Sequence, residues 1–114
     1  MKIYFYKDEK GNRPVSDFLD KVSDKAKSRL LLYLRHLADN EGKMEGLAFR
    51  KLHGYPLEEV RVKESRNLHR VIIKVRFRDS VIILHGFTKK EGQETAKKEL
   101  EIAYKRYLKF IENN

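Results

Sequence analysis

The alternation of apolar and basic residues between Glu59 and Lys90 constrains the fold of this chain more than any other feature. The segment reads EVRVKESRNLHRVIIKVRFRDSVIILHGFTKK and has two polar interruptions. A period of two is typical of strands with one face buried. The segment therefore predicts a three-stranded antiparallel meander at about residues 57–63, 68–77 and 80–87, with turns at 64–67 and 78–79.

The two faces of this meander differ in chemistry. Along the middle strand, the predicted apolar face comprises Val71, Ile73, Val75 and Phe77, and the opposite face comprises Arg70, Ile72, Lys74 and Arg76. In the last strand, His85 continues the apolar face of Val81 and Ile83. We expect one face to pack as core and the other to be an open surface covered with cations.

Two helices are predicted before the meander. Pro14 suits the first position of a helix, where its missing N–H costs nothing. Ser23 is a predicted N-cap for a second helix, which runs to about Asn40 and stops at Gly42. The apolar stripe of this second helix comprises Ala26, Leu30, Leu34, Leu37 and Ala38. The two helices therefore predict a hairpin that packs its stripe against the sheet.

The remaining segments complete the predicted architecture. KIYFY at the N-terminus predicts a strand, residues 42–55 show little pattern and are predicted as loop, and Thr95 is a predicted cap for a final helix to about Glu112. The stripe of the final helix comprises Leu100, Ala103, Tyr104, Tyr107, Leu108 and Ile111. We predict an α+β domain over residues 1–114, in which an antiparallel-dominated four-stranded sheet carries the N-terminal helical hairpin on one face and is followed by a C-terminal helix.

Charge and composition narrow the class of protein. The chain has 26 Lys and Arg against 17 Asp and Glu, a net charge of +9, which favours a polyanionic partner such as nucleic acid. The absence of Cys fits the reducing cytoplasm. The chain has no run of about 18 apolar residues, so we predict no membrane span. The four His residues lack metal-ligand spacing, and no phosphate-binding glycine loop or serine elbow is present. We therefore expect neither a metal nor a cofactor.

Arginine and lysine side chains on one surface can cleave RNA without a metal ion. A base takes the proton of the 2′-hydroxyl, cations stabilise the phosphorane, and an acid protonates the 5′-oxygen. Arg61 and Arg70 are candidate phosphate ligands, because a guanidinium group donates two parallel hydrogen bonds. Lys89, Lys51 and His85 are candidates for proton transfer, and the residues alone leave that choice open. Each of two candidates also has a structural alternative to catalysis. Arg61 could simply pair with a glutamate on the sheet surface, and His85 could be a hydrogen-bonded structural residue.

The order of these motifs resembles the phage Gp49-like/HigB branch of the RelE toxin superfamily. The matching motifs are Gly11-Asn12-Arg13-Pro14-Val15, Phe18-Leu19, Lys51-Leu52, Glu59-Val60-Arg61, Arg70 and Leu84-His85-Gly86-Phe87-Thr88-Lys89-Lys90. The resemblance implies the toxin of a type II toxin–antitoxin pair, a ribosome-dependent mRNA interferase that cleaves translated message. It also implies a cognate antitoxin, usually a helix-turn-helix protein of the Xre type, in a toxin–antitoxin hetero-oligomer.

Site roles follow from the positions of these motifs together with the basic face. We expect catalytic roles for Arg61, Arg70, His85 and Lys89. We expect RNA contacts from Lys51, Lys74 and Lys90. Two other functions stay open. One is a ParE-like toxin that inhibits gyrase, although a toxin that binds a protein has no need of the phosphate-binding arginines. The other is a non-catalytic RNA- or ribosome-binding module of the same fold.

Overall fold

The computed structural model describes residues 1–114 and contains three α-helices and one five-stranded mixed sheet. The strands are β1 (Lys2–Phe5), β2 (Phe49–Lys51), β3 (Glu58–Glu64), β4 (Asn67–Lys74) and β5 (Ser80–Lys90). The helices are α1 (Pro14–Lys21), α2 (Asp24–Asp39) and α3 (Lys97–Glu112). The strand order is β1-β5-β4-β3-β2; β1 is parallel to β5, and the other neighbours are antiparallel. No helix is long and apolar enough to cross a membrane.

The prediction of an α+β fold is confirmed, but the predicted four strands are one too few. The additional strand is β2, which lies in the segment that we predicted as loop and pairs antiparallel with β3. Three residues are too few to show a period of two, so the sequence pattern carries no signal for this strand. The packing of Phe49 on Tyr33 of α2, with ring centroids 5.9 Å apart, places β2 at the sheet edge.

Both faces of the sheet are covered, so the expectation of an open cationic face is wrong. Helices α1 and α2 pack on one face over a cluster that includes Val60, Val71 and Ile83. Helix α3 packs on the other face over Ile72 and Ile82. The partly buried α3 side chains of this second cluster are Leu100, Tyr104, Tyr107 and Phe110. These apolar sheet residues need a cover because exposing them to water is unfavourable.

A β-bulge in β5 changes which face its later residues occupy. Ile73 pairs with Ile83 while Ile72 pairs with His85, so Leu84 is the extra residue. Such a bulge places two consecutive residues on one face. His85 therefore lies on the α3 side with Leu84, and the prediction that it continues the face of Val81 and Ile83 is wrong.

Phe77 also lies on the opposite face from the one we predicted. Strand β4 ends at Lys74, and Arg76 adopts a positive φ of 63°, so the alternation stops before Phe77. The ring of Phe77 packs instead against Tyr107 and Phe110 of α3, with centroid distances of 6.4 and 5.5 Å.

Most of the predicted helix signals are confirmed, and two predictions for α3 are wrong. Pro14 is the first residue of α1, and Ser23 Oγ accepts a hydrogen bond from the Ala26 N–H at 3.0 Å. The cap of α3 is Ala96 rather than Thr95, whose hydroxyl is turned toward the sheet. Leu108 is 41% exposed and lies outside the packed stripe of α3.

Helix α1 contacts β5 at a glycine, and this contact is testable. A Cβ atom on Gly86 would lie 2.4 Å from Cδ2 of Phe18. We expect Gly86→Ala to lower the free energy of unfolding by about 1–3 kcal/mol, because the Phe18 ring must leave its packed position. Urea denaturation measures this loss. In a Phe18→Leu background the same alanine should cost less, and an equal cost in both backgrounds would contradict the contact.

Candidate nucleic-acid interface

A fully buried carboxylate lies near the start of β3, on the same face of the sheet as α3. Glu59 on β3 is 0% exposed. Its Oε1 accepts a hydrogen bond from Arg50 Nε at 2.9 Å and lies 3.7 Å from Arg70 Nη1. The Thr95 hydroxyl donates to its Oε2 at 2.9 Å. A buried carboxylate needs such partners, because desolvation of an unpaired charge is very unfavourable.

Arg61 and Arg70 are direct cross-strand neighbours on β3 and β4. Arg70 is only 2% exposed; its Nη1 donates to Thr95 Oγ1 and its Nη2 to the Gln93 carbonyl, both at 2.6 Å. Burial lowers the pKa of Arg70, an effect that Glu59 opposes. Arg61 is half-buried, and its Nη2 donates to the Leu47 carbonyl at 3.3 Å.

The Nε atoms of Arg61 and Arg70 are both buried and have no hydrogen-bond partner. Buried donors are nearly always paired, so two adjacent unpaired donors need an explanation. The cluster of Arg50, Arg61 and Arg70 around Glu59 also keeps an excess of positive charge. The excess of positive charge suits an oxyanion ligand, because a guanidinium group binds planar or tetrahedral oxyanions through paired donors. The two Nε atoms themselves are enclosed by protein atoms in this structure.

His85 lies under α3 with both ring nitrogens engaged. Nε2 is 3.0 Å from Glu99 Oε1, and Nδ1 is 3.1 Å from Arg106 Nη1. A guanidinium group can only donate, so Nδ1 accepts and the ring proton is on Nε2, which donates to Glu99. Burial lowers the pKa of His85, and Arg106 adds to this, while the hydrogen bond to Glu99 opposes it. This geometry supports the structural alternative for His85.

The predicted lysines fall into two groups. Lys89 is half-buried without a side-chain hydrogen bond. It pairs with Leu68 of β4, so it is a diagonal cross-strand neighbour of Arg70, about 7–8 Å away. Lys90 is exposed at the end of β5. Lys74 lies about 13 Å along β4 from Arg70 by strand rise, and its Nζ donates to the Pro56 carbonyl. The structure thus places Arg61 beside Arg70, and Lys89 diagonally across from Arg70 on the next strand.

Lys51 is separate from this group. It is exposed on β2 and follows Arg50, so strand alternation directs it to the face opposite the arginine cluster.

Sequence reasoning missed three residues of this cluster: Arg50, Glu59 and Thr95. Arg50 lies in the segment predicted as loop, and Thr95 was predicted to cap a helix. Glu59 carried a weak signal, because it alternates with Arg61 on the polar face of β3. No group of three or more His, Asp and Glu side chains in the protein is arranged to hold a metal ion.

Comparison with known protein families identifies a matching family model. The family model of phage-derived Gp49-like proteins matches residues 17–108. This range begins within α1, ends within α3 and contains the whole arginine cluster. A search of curated proteins found no match.

The Glu59 cluster predicts a large loss of stability when its charge is removed. Glu59→Gln keeps the shape of the side chain but leaves Arg70 buried without a counter-charge. We expect the free energy of unfolding to fall by about 2–4 kcal/mol, toward the range for a broken buried ion pair. The control is Glu91→Gln, whose ion pair with Lys63 is exposed and should cost no more than about 1 kcal/mol. Equal losses in urea denaturation would contradict the role of Glu59.

The pKa of His85 predicts a pH dependence of stability. Its folded pKa lies below the ordinary value of 6.5, so the unfolded chain takes up the proton first as the pH falls. The stabilisation by neutral His85 is therefore present above about pH 6.5 and is lost progressively as the pH falls below it. Between about pH 7 and 5, His85→Gln should lose less stability than the original protein. Parallel denaturation curves across this range would contradict the assignment.

Proposed function

Because this chain belongs to the Gp49-like family of phage-derived proteins, which are toxins of the RelE/HigB type, we propose that it is a ribosome-dependent mRNA interferase. The observation that carries the proposal is the pair of adjacent arginines, Arg61 and Arg70, whose buried Nε atoms have no partner. Membership of a toxin family implies a cognate antitoxin. We propose that this antitoxin is a helix-turn-helix protein of the Xre type and that the two form a hetero-oligomer.

In the proposed reaction, the scissile phosphate binds at Arg61, the less buried of the two arginines. The guanidinium group of Arg61 stabilises the charge that develops as the 2′-hydroxyl loses its proton to solvent, its oxygen attacks phosphorus and the bond from phosphorus to the 5′-oxygen breaks. Arg70, held from behind by Glu59, supplies a second positive charge to the same site. These groups act by position and charge, as in other reactions at phosphorus that need no covalent intermediate with the enzyme.

Proton transfer is assigned to Lys89 rather than to His85. Lys89 makes no side-chain hydrogen bond and lies close to the arginine pair, so its ammonium group is free to protonate the leaving 5′-oxygen. Both nitrogens of His85 are occupied by Glu99 and Arg106, and it therefore acts in our proposal by supporting the fold beneath the site.

The peripheral lysines have a binding role in this proposal. Lys51, Lys74 and Lys90 are on the surface, where contacts with RNA phosphates add affinity without sequence preference.

The burial of Arg70 favours one alternative function, a non-catalytic module of the same fold that binds RNA or the ribosome without cleavage.

The test is induced expression in a bacterial host, with growth followed and the 5′ ends of cellular mRNA mapped. We expect growth arrest and new cuts in translated reading frames. Arg61→Ala should reduce cleavage at least about tenfold, because it removes a donor to the developing charge. Arg35→Ala is the matched control, since Arg35 is an exposed residue of α2 and the charge change is the same.

Each other outcome has a distinct meaning. Arrest with intact message and damaged DNA would replace the proposal with gyrase inhibition. Cuts that are unchanged in Arg61→Ala would contradict the role of Arg61. Binding to ribosomes without any cleavage would favour the non-catalytic module.

A further inference from the structure

The segment that joins β5 to α3, residues 91–96, lies over Arg70 as a turn and coil, and we name it the strap. The Gln93 carbonyl and the Thr95 hydroxyl accept the hydrogen bonds of both Arg70 Nη atoms. Arg70 is buried as a result, although its cross-strand neighbour Arg61 is not. The strap therefore occupies the donors through which Arg70 would hold an oxyanion.

The strap is held in place by polar contacts alone. The Glu91 N–H donates to the Arg66 carbonyl at 2.6 Å, and the Glu91 carboxylate accepts from Lys63 Nζ at 3.0 Å. Thr95 contacts Arg50, Arg70 and Glu59. No side chain of residues 91–96 belongs to either apolar cluster. Opening the strap therefore exposes no apolar core. It does remove the Thr95 hydroxyl from Glu59 and both acceptors from Arg70, so a ligand or water must replace these hydrogen bonds for the open state to form.

We infer that the strap is a displaceable mask of the phosphate site and that RNA phosphates open it. Each acceptor of the strap takes a hydrogen bond from a cationic side chain. The Thr95 hydroxyl and the Gln93 carbonyl, which are neutral, accept from Arg70, and the Glu91 carboxylate accepts from Lys63. A phosphodiester offers charged oxygens to the same donors, and a charge-assisted hydrogen bond between two ions is stronger than one to a neutral oxygen. Its entry releases Gln93 and Thr95 and adds Arg70 to Arg61 as a ligand.

This inference rests on the proposed function, because it takes the ligand to be a phosphodiester. The free protein is then held in a state of low RNA affinity, which is raised when the strap is loosened. The opposite possibility is that the strap is a scaffold that orients Arg70 for RNA. The two readings predict opposite changes in affinity when the strap is weakened.

Two variants weaken the strap at separate contacts. Thr95→Val removes the acceptor for Arg50 and Arg70, and Glu91→Gln removes the charge that binds Lys63. We expect Thr95→Val to bind a labelled single-stranded RNA of ten nucleotides at least about fivefold more tightly, because the closed state loses buried hydrogen bonds to cations. We expect a smaller gain, of about two- to fivefold, for Glu91→Gln, because its ion pair with Lys63 is exposed. Fluorescence anisotropy at fixed salt measures the dissociation constants.

Two controls isolate the mask from other effects. Glu101→Gln has the same charge change as Glu91→Gln and breaks a Lys97–Glu101 pair on exposed α3, so it reports the general gain in affinity from one added positive charge. Thr95→Ser keeps the hydroxyl and should bind RNA as the original protein does. The gain of Glu91→Gln is therefore expected relative to Glu101→Gln, and the gain of Thr95→Val relative to Thr95→Ser.

Hydrogen exchange gives a second readout that does not depend on cleavage. RNA should speed exchange in residues 91–96, including the Glu91 amide that is bonded to Arg66. Equal or weaker RNA binding by both variants, slower exchange with RNA, or no RNA binding by any variant overturns the inference. Failure of the proposed function gives a different result. In that case Glu91→Gln still changes RNA affinity, but expression of the protein produces no mRNA cuts that depend on Arg61.

Discussion

The buried carboxylate of Glu59 is the interaction on which the functional face of this protein depends. It joins Arg50 of β2, Arg70 of β4 and Thr95, which immediately precedes the cap of α3. One side chain therefore fastens two neighbouring strands and the start of a helix to β3. Such a cluster adds little to the net free energy of folding, but it favours one arrangement of these elements over others. The reason is that leaving any one member without partners is very unfavourable.

The placement of α3 then decides how much of the basic face is available to a ligand. The helix covers Ile72 and Ile82 and leaves the arginine pair at the margin of the covered area, where Arg61 remains partly accessible. The sequence pattern predicted one continuous cationic surface on this face. In the structure α3 covers much of it, and a compact basic site is left at one end of the sheet. For a protein that acts on RNA, the effect is to concentrate positive charge around one phosphate position.

The same helix explains the environment of His85. Glu99 and Arg106 lie on α3 and engage the two nitrogens of the ring, which the bulge at Leu84 has turned toward them. The histidine on the last strand thus links the sheet to the helix. The motif order led us to expect a catalytic role for His85, whereas its two hydrogen bonds are those of a structural residue.

The sequence by itself determined the features that depend on near neighbours in the chain. These are the first turn at Pro14, the cap at Ser23, the apolar stripe of α2 and the alternation that separates Arg61 and Arg70 from the apolar face of their strands. Contacts between distant segments decided the rest. Strand β2 exists because β3 pairs with it, His85 changes face because β5 carries one residue more than β4 across from it, and Thr95 faces the sheet because Glu59 needs a donor. Periodicity and capping are local properties that a sequence displays directly, whereas the burial of Arg70 and the partners of His85 and Glu59 come from elements that only folding brings together.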